Sequence, residues 1–139
     1  MLTFFAIPKP FRGHIGVIQR NAIQSWVKTC PGCEVILFGN DEGTAETASE
    51  LGLRHIPDVP CNRQGTPLVS GMFGDAQRVA THDILAYVNA DIILMSDFLQ
   101  AVRDVSDQVE RFLMVGQRWD VAIDQHWDVE TFDAVGKNE

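Results

Sequence analysis

Apolar residues fall along this chain in two alternating patterns, short continuous runs and stretches at helical spacing. The first run, over 2–7, reads as a strand closed by Pro8 and Pro10. Ile15, Ile18, Ala22, Ile23, Trp26 and Val27 then recur at helical spacing and predict a helix over 15–28. A second strand is expected over 34–38, ended by Gly39-Asn40-Asp41. Asp41 or Thr44 is suited to cap a short helix that runs to Leu51, and Gly52 stands where a glycine commonly follows a helix end. A short strand over 53–56 leads into an irregular Pro-, Gly- and polar-rich segment, 57–67. A second long helix is expected over 68–81, with Val69, Met72, Phe73, Ala76, Val79 and Ala80 on its apolar face.

The next run, 84–94, is apolar except at Asn89 and Asp91. Such a run reads as a strand buried on both faces, the signature of a parallel sheet between helices. Strand side chains alternate, so Asn89 and Asp91 are expected on one side, where an ionised Asp needs a partner or a cation. Ser96 is placed to cap a further helix carrying Phe98, Leu99, Val102 and Val105, and a last strand is expected over 112–115. Strands alternating with helices imply an α/β fold, a three-layer sandwich around a mostly parallel, doubly wound, Rossmann-like sheet. The domain is expected to span 1–119, with 120–139 as a polar tail.

A chain of 139 residues holds one domain with a real core, and its 45% apolar and 22% charged residues are those of an ordinary globular protein. A net charge of −8 argues against nucleic acid and anionic membrane surfaces as partners. No apolar stretch has the length of a membrane span, and the N-terminal run lacks a basic flank and a cleavage site, so a cytoplasmic protein is expected. Cys30, Cys33 and Cys61 then read as reduced thiols, and Cys30-Pro31-Gly32-Cys33, lying between a helix and a strand, as a turn with incidental thiols.

Ligands of open parallel sheets bind beyond the carboxyl ends of the strands. Those ends here are Pro8-Lys9-Pro10-Phe11-Arg12-Gly13, Gly39-Asn40-Asp41-Glu42 and Asn89-Ala90-Asp91, a mixture of cations, carboxylates and glycines suited to a ligand with anionic and hydroxylated parts. The dinucleotide glycine fingerprint, the phosphate-binding Walker loop and the nucleophile elbow are all missing.

The segment Tyr87-Val88-Asn89-Ala90-Asp91-Ile92-Ile93-Leu94 resembles the Asp-x-Asp segment of GT-A fold glycosyltransferases. The first strand ending, the helix with Gln19-Arg20-Asn21-Ala22-Ile23-Gln24-Ser25-Trp26 and the strand Val35-Ile36-Leu37-Phe38-Gly39 are similar to the nucleotide-binding half of that fold, so that the resemblance covers 1–119. It implies a nucleotide-diphospho-sugar across the ends of the first, second and fourth strands. Asp91 takes the place of the family's carboxylate that coordinates Mg²⁺ or Mn²⁺, which suits a hard cation on a diphosphate. Asn89 replaces the first Asp of the motif, keeping a hydrogen bond to a hydroxyl without the charge. Asp41 or Glu42 matches the place of a base or ribose contact, and Arg78 that of a base or phosphate contact. Pro8 belongs to the donor-binding strand ending, beside which Lys9 and Arg12 are either phosphate ligands or surface charges.

Plainer roles stand beside these. Asn89 and Asp91 are able to cap a turn, Asp41 a helix, and Arg78 is spaced to pair with Asp75. In the tail, Asp124 and His126 are candidates for the catalytic base or a metal ligand, and Trp119 and Trp127 for stacking on a sugar ring, unless the segment is a solvated excursion. The implied activity is transfer of the sugar to an acceptor hydroxyl. Members of the family usually continue into an acceptor-binding half, so the expectation is a donor half completed by Asp124 or His126, by a second subunit in a homo-oligomer, or not at all. The alternatives are a catalytically silent nucleotide-sugar-binding or interaction module and, with less support, a nucleotidyltransferase.

Overall fold

The computed structural model describes residues 1–127. Strand β1 (Leu2–Ala6) leads to helix α1 (Gly13–Thr29), and β2 (Glu34–Phe38) to α2 (Thr44–Leu51). Strand β3 (Arg54–Ile56) then leads to α3 (Val69–Val79), and β4 (Ile84–Tyr87) to α4 (Ser96–Gln108). The strands form one all-parallel sheet in the order β3-β2-β1-β4, with Thr3 opposite Glu34 and Leu85, and Phe38 opposite Ile56. The chain therefore steps outward from β1 to β3 and returns to the other side of β1.

Alternation along the strands divides the apolar side chains into two clusters. Leu2, Phe4 and Ala6 pack with Ala22, Ile23 and Trp26 of α1, Ala48 of α2 and Val102 of α4. Phe5, Ile36 and Phe38 pack instead with Met72 and Ala76 of α3. Each of these fully buried Phe side chains contributes about 1.5–3 kcal/mol. At the amino end of the sheet, Glu34 draws the strands together: its carboxylate accepts from Thr3 Oγ1 of β1 at 2.9 Å, from Arg54 of β3 at 3.1 Å and from the Thr81 N–H ahead of β4 at 2.9 Å.

Three expectations are corrected. The fourth strand ends at Tyr87, not at Leu94. The Val88 N–H still reaches the Phe5 carbonyl at 3.2 Å, but beyond it the Ile92 N–H closes a turn on Asn89 O at 3.0 Å. The Ile92 carbonyl then accepts from Trp26 Nε1 at 2.8 Å, and the Leu94 N–H donates to Ser25 Oγ at 3.0 Å. Side chains of α1 thus take the backbone groups that a longer ladder would need.

Second, among the described residues no strand follows β4, and Leu113 and Val115 are 90% and 84% exposed. The reason is handedness. Helix α4 packs on the same cluster as α1 and α2, whose crossovers move from β1 toward β3. A crossover of the same hand on that face cannot carry the chain outward past β4. Third, neither Asp41 nor Ser96 caps a helix: Gly43, at φ 89°, is the N-cap of α2, and Met95 that of α4. None of the helices among the described residues is long and apolar enough to cross a membrane.

Candidate functional site

The carboxyl rim is built by four loops. Helix α2 lies on the α1 side of the sheet and α3 on the opposite side, so the loops after β2 and β3 part. The gap between them is a cleft of about 410 Å³, lined by Ile7, Gly39, Asn40, Asp41, Pro57, Asp58, Val59, Cys61, Gly65 and Pro67. Its outer wall is a small hairpin. Cys61 and Pro67 bridge, Asn62 Oδ1 accepts the Gln64 and Thr66 N–H groups, and the Leu68 N–H returns to the Pro60 carbonyl at 2.8 Å. The cleft offers apolar walls in Ile7 and Val59 and two carboxylates, Asp41 and Asp58, with no cation among its lining residues. That chemistry suits a flat ring and neutral N–H or O–H donors rather than a phosphate.

The β1–α1 loop is fixed from below. Buried Gln19 accepts the Lys9 N–H at 2.7 Å and donates to the Lys9 carbonyl at 2.9 Å, which leaves the Lys9 side chain exposed at the rim. Pro8 beside it is buried. The Phe11 N–H bonds the Glu42 carbonyl at 2.8 Å, and the Arg12 guanidinium pairs with the Glu42 carboxylate. Arg12 and Glu42 therefore hold the β1 and β2 loops together, and each other's charge is their first partner.

Across β1 from the cleft, the turn after β4 presents Asn89 and Asp91, both exposed, alternating with buried Val88 and Ala90. The two polar side chains are not trapped in a buried strand, so desolvation does not demand a partner for Asp91. The turn is held by α1 through Trp26 and Ser25. From the outer strand β3 to β4 the rim spans three strand spacings, about 14 Å.

The structure brings Pro8, Lys9, Arg12, Asp41, Asn89 and Asp91 to this one rim. Arg78 is elsewhere. It pairs with Asp75 in the last turn of α3, next to Val79, whose carbonyl meets Arg54 at the amino end of the sheet. A crossover helix runs opposite to its strands, so its C-terminal turn cannot reach their carboxyl ends. Asp124 and His126 are exposed and flank Gln125, whose carbonyl accepts from Asn21 Nδ2 at 2.8 Å, while the Trp127 N–H donates to Asn21 Oδ1 at 3.1 Å. The tail is thus tied to the middle of α1, and 128–139 lies outside the described residues.

Among the described residues no group of three or more His, Cys, Asp or Glu side chains is arranged to hold a metal ion. Asp91 offers a single hard carboxylate. That fits a cation which arrives with a diphosphate and keeps waters, not one caged by protein. Sequence reasoning missed Asp58, which lay in the segment read as irregular, and Gln19 and Asn21. The last two did leave a signal: both are polar residues within the apolar-rich stretch of α1. Comparison with protein-family models, curated proteins and solved structures finds no match to this chain.

Proposed function

We propose that the carboxyl rim binds a nucleotide-diphospho-sugar and that the chain is a glycosyltransferase-like domain, its helices and sheet forming a doubly wound, three-layer, GT-A-like arrangement. One observation carries this reading: the acidic, partly apolar cleft and the Asn89–Asp91 turn lie on opposite sides of β1 at the same end of one parallel sheet. In this arrangement the nucleobase lies against Ile7 and Val59, and the ribose hydroxyls donate to Asp41. The diphosphate crosses the end of β1 past Lys9 toward β4. Asn89 hydrogen-bonds a sugar or ribose hydroxyl, and the Asp91 carboxylate holds Mg²⁺ or Mn²⁺. When bound, the cation neutralises charge on the departing diphosphate. Asp124 or His126 is the candidate to take the proton of the acceptor hydroxyl, and the cytoplasm, where nucleotide sugars and reduced thiols coexist, is the compartment that suits the reading.

A silent binding module of the same fold is the second reading. The amide at Asn89 and the engagement of Arg12 by Glu42 favour it, because both lower the positive and metal-binding potential around the diphosphate.

Calorimetric titration of UDP, GDP and their sugars, with and without Mn²⁺, tests the site. Asp91→Ala is expected to weaken a nucleoside diphosphate in Mn²⁺ by about tenfold, on the order of 1.4 kcal/mol, and to leave a nucleoside alone unaffected. Asp41→Ala is expected to weaken both. Absence of binding at millimolar ligand overturns the nucleotide site. Mn²⁺-dependent hydrolysis of the donor separates the transferase from the silent module.

A further inference from the structure

Cys30 and Cys33 stand apart from the rim, at the junction of α1 and β2. The Cys30 N–H closes α1 on the Trp26 carbonyl at 3.1 Å, and the Cys33 N–H returns to the Cys30 carbonyl at 3.1 Å. Between them Pro31 is followed by Gly32 at φ 86°. Proline and then a left-handed glycine inside such a bond make a type II turn. A turn of this kind holds its first and fourth Cα atoms within about 7 Å, and disulfides span Cα separations of about 4.4–6.8 Å. Cys33 is near enough to Cys30 to act on its thiol electrostatically. Cys30 is buried and Cys33 half-buried, so Cys33 is the sulfur that a solute can reach. Burial first, and the neighbouring Cys33 second, push the Cys30 thiol up to about 11, which keeps it protonated at rest. Cys61 lies elsewhere, in the cleft wall, where its thiol donates to the Val59 carbonyl at 3.2 Å.

We propose that Cys30 and Cys33 form a dithiol site that a small organic disulfide converts reversibly into an intramolecular disulfide. The Cys33 thiolate attacks one sulfur of oxidised glutathione and expels one glutathione thiolate, leaving a mixed disulfide. The Cys30 sulfur then gives up its proton and attacks the Cys33 sulfur, expelling the second glutathione. Two cysteine thiols are oxidised, the S–S bond of the oxidant is reduced, and the two protons end on two glutathione thiols. The bridge locks the turn that fixes where α1 ends and β2 begins. It is independent of any nucleotide at the rim.

The test is equilibration of the folded full chain with oxidised glutathione, an acid quench, and thiol counting in denaturant with mass spectrometry. The three free thiols are expected to fall to one, with no glutathione retained and with Cys61 as the remaining thiol in peptide maps. Cys61→Ser is expected to fall from two thiols to none, and dithiothreitol to restore both. Retention of all thiols overturns the proposal. So does a stable glutathione adduct on Cys33 with Cys30 still free, or a loss of two thiols that survives in Cys33→Ser.

Discussion

Trp26 shows what a single residue reveals and what it hides. Helical spacing marks it as core, and its ring is indeed fully buried, 5.8 Å from that of Phe4. Its indole N–H has a second task that no local pattern announces, because the acceptor, the Ile92 carbonyl, is 66 residues away in sequence. Trp26→Phe keeps most of the apolar contact but orphans that carbonyl. A loss of about 1–3 kcal/mol in urea denaturation is expected, together with a looser Asn89–Asp91 turn. Gly43 makes a sharper case. A Cβ there would meet Phe11 Cβ at 2.6 Å, and its φ of 89° strains any L side chain. Gly43→Ala is expected to cost more than about 1 kcal/mol by the same measurement, because the loops of β1 and β2 must part to admit the methyl group. Glycine ahead of a helix is visible in sequence; that Phe11 leans on it is not.

At the scale of elements, the sheet depends on a clasp at its amino end. Burial alone would raise the Glu34 carboxyl, but the Thr81 N–H, Arg54 and the Thr3 hydroxyl outweigh it and hold it below its ordinary 4.5. A carboxylate lowered in the folded state stabilises the protein above its unfolded value, and that contribution fades as pH falls through the folded value. Glu34→Gln is therefore expected to destabilise the protein by about 1 kcal/mol near neutral pH and by less in acid, in paired denaturant melts across that range. Among the described residues, the existence and kind of the first three strands and of α1, α3 and α4 were legible from hydrophobic spacing, and those of α2 from its capping signals. The end of β4 was not. Residues 88–94 carry the composition of a strand, and only the competition of Trp26 and Ser25 for their backbone groups stops the ladder. The apolar run at 112–115 misled for a related reason, since composition says nothing of the face on which α4 packs.

At the scale of the whole molecule, Asn21 joins the end of the described chain to its centre, through two hydrogen bonds to Gln125 and Trp127. Asn21→Ala is expected to cost about 1–2 kcal/mol in global stability and to raise amide hydrogen exchange across 122–127 while exchange in the sheet stays slow. By itself the sequence determined the α/β class, the element order as far as α4, and the gathering of Lys9, Asp41, Asn89 and Asp91 at strand ends, because these follow from periodicity and from the direction of parallel strands. Tertiary structure alone decided that Arg78 is at the far end, that Arg12 is engaged by Glu42, and that the cleft opens between the loops of β2 and β3. Those facts depend on which face each helix chooses and on which partners meet across long sequence separations, and hydrophobic patterning carries neither.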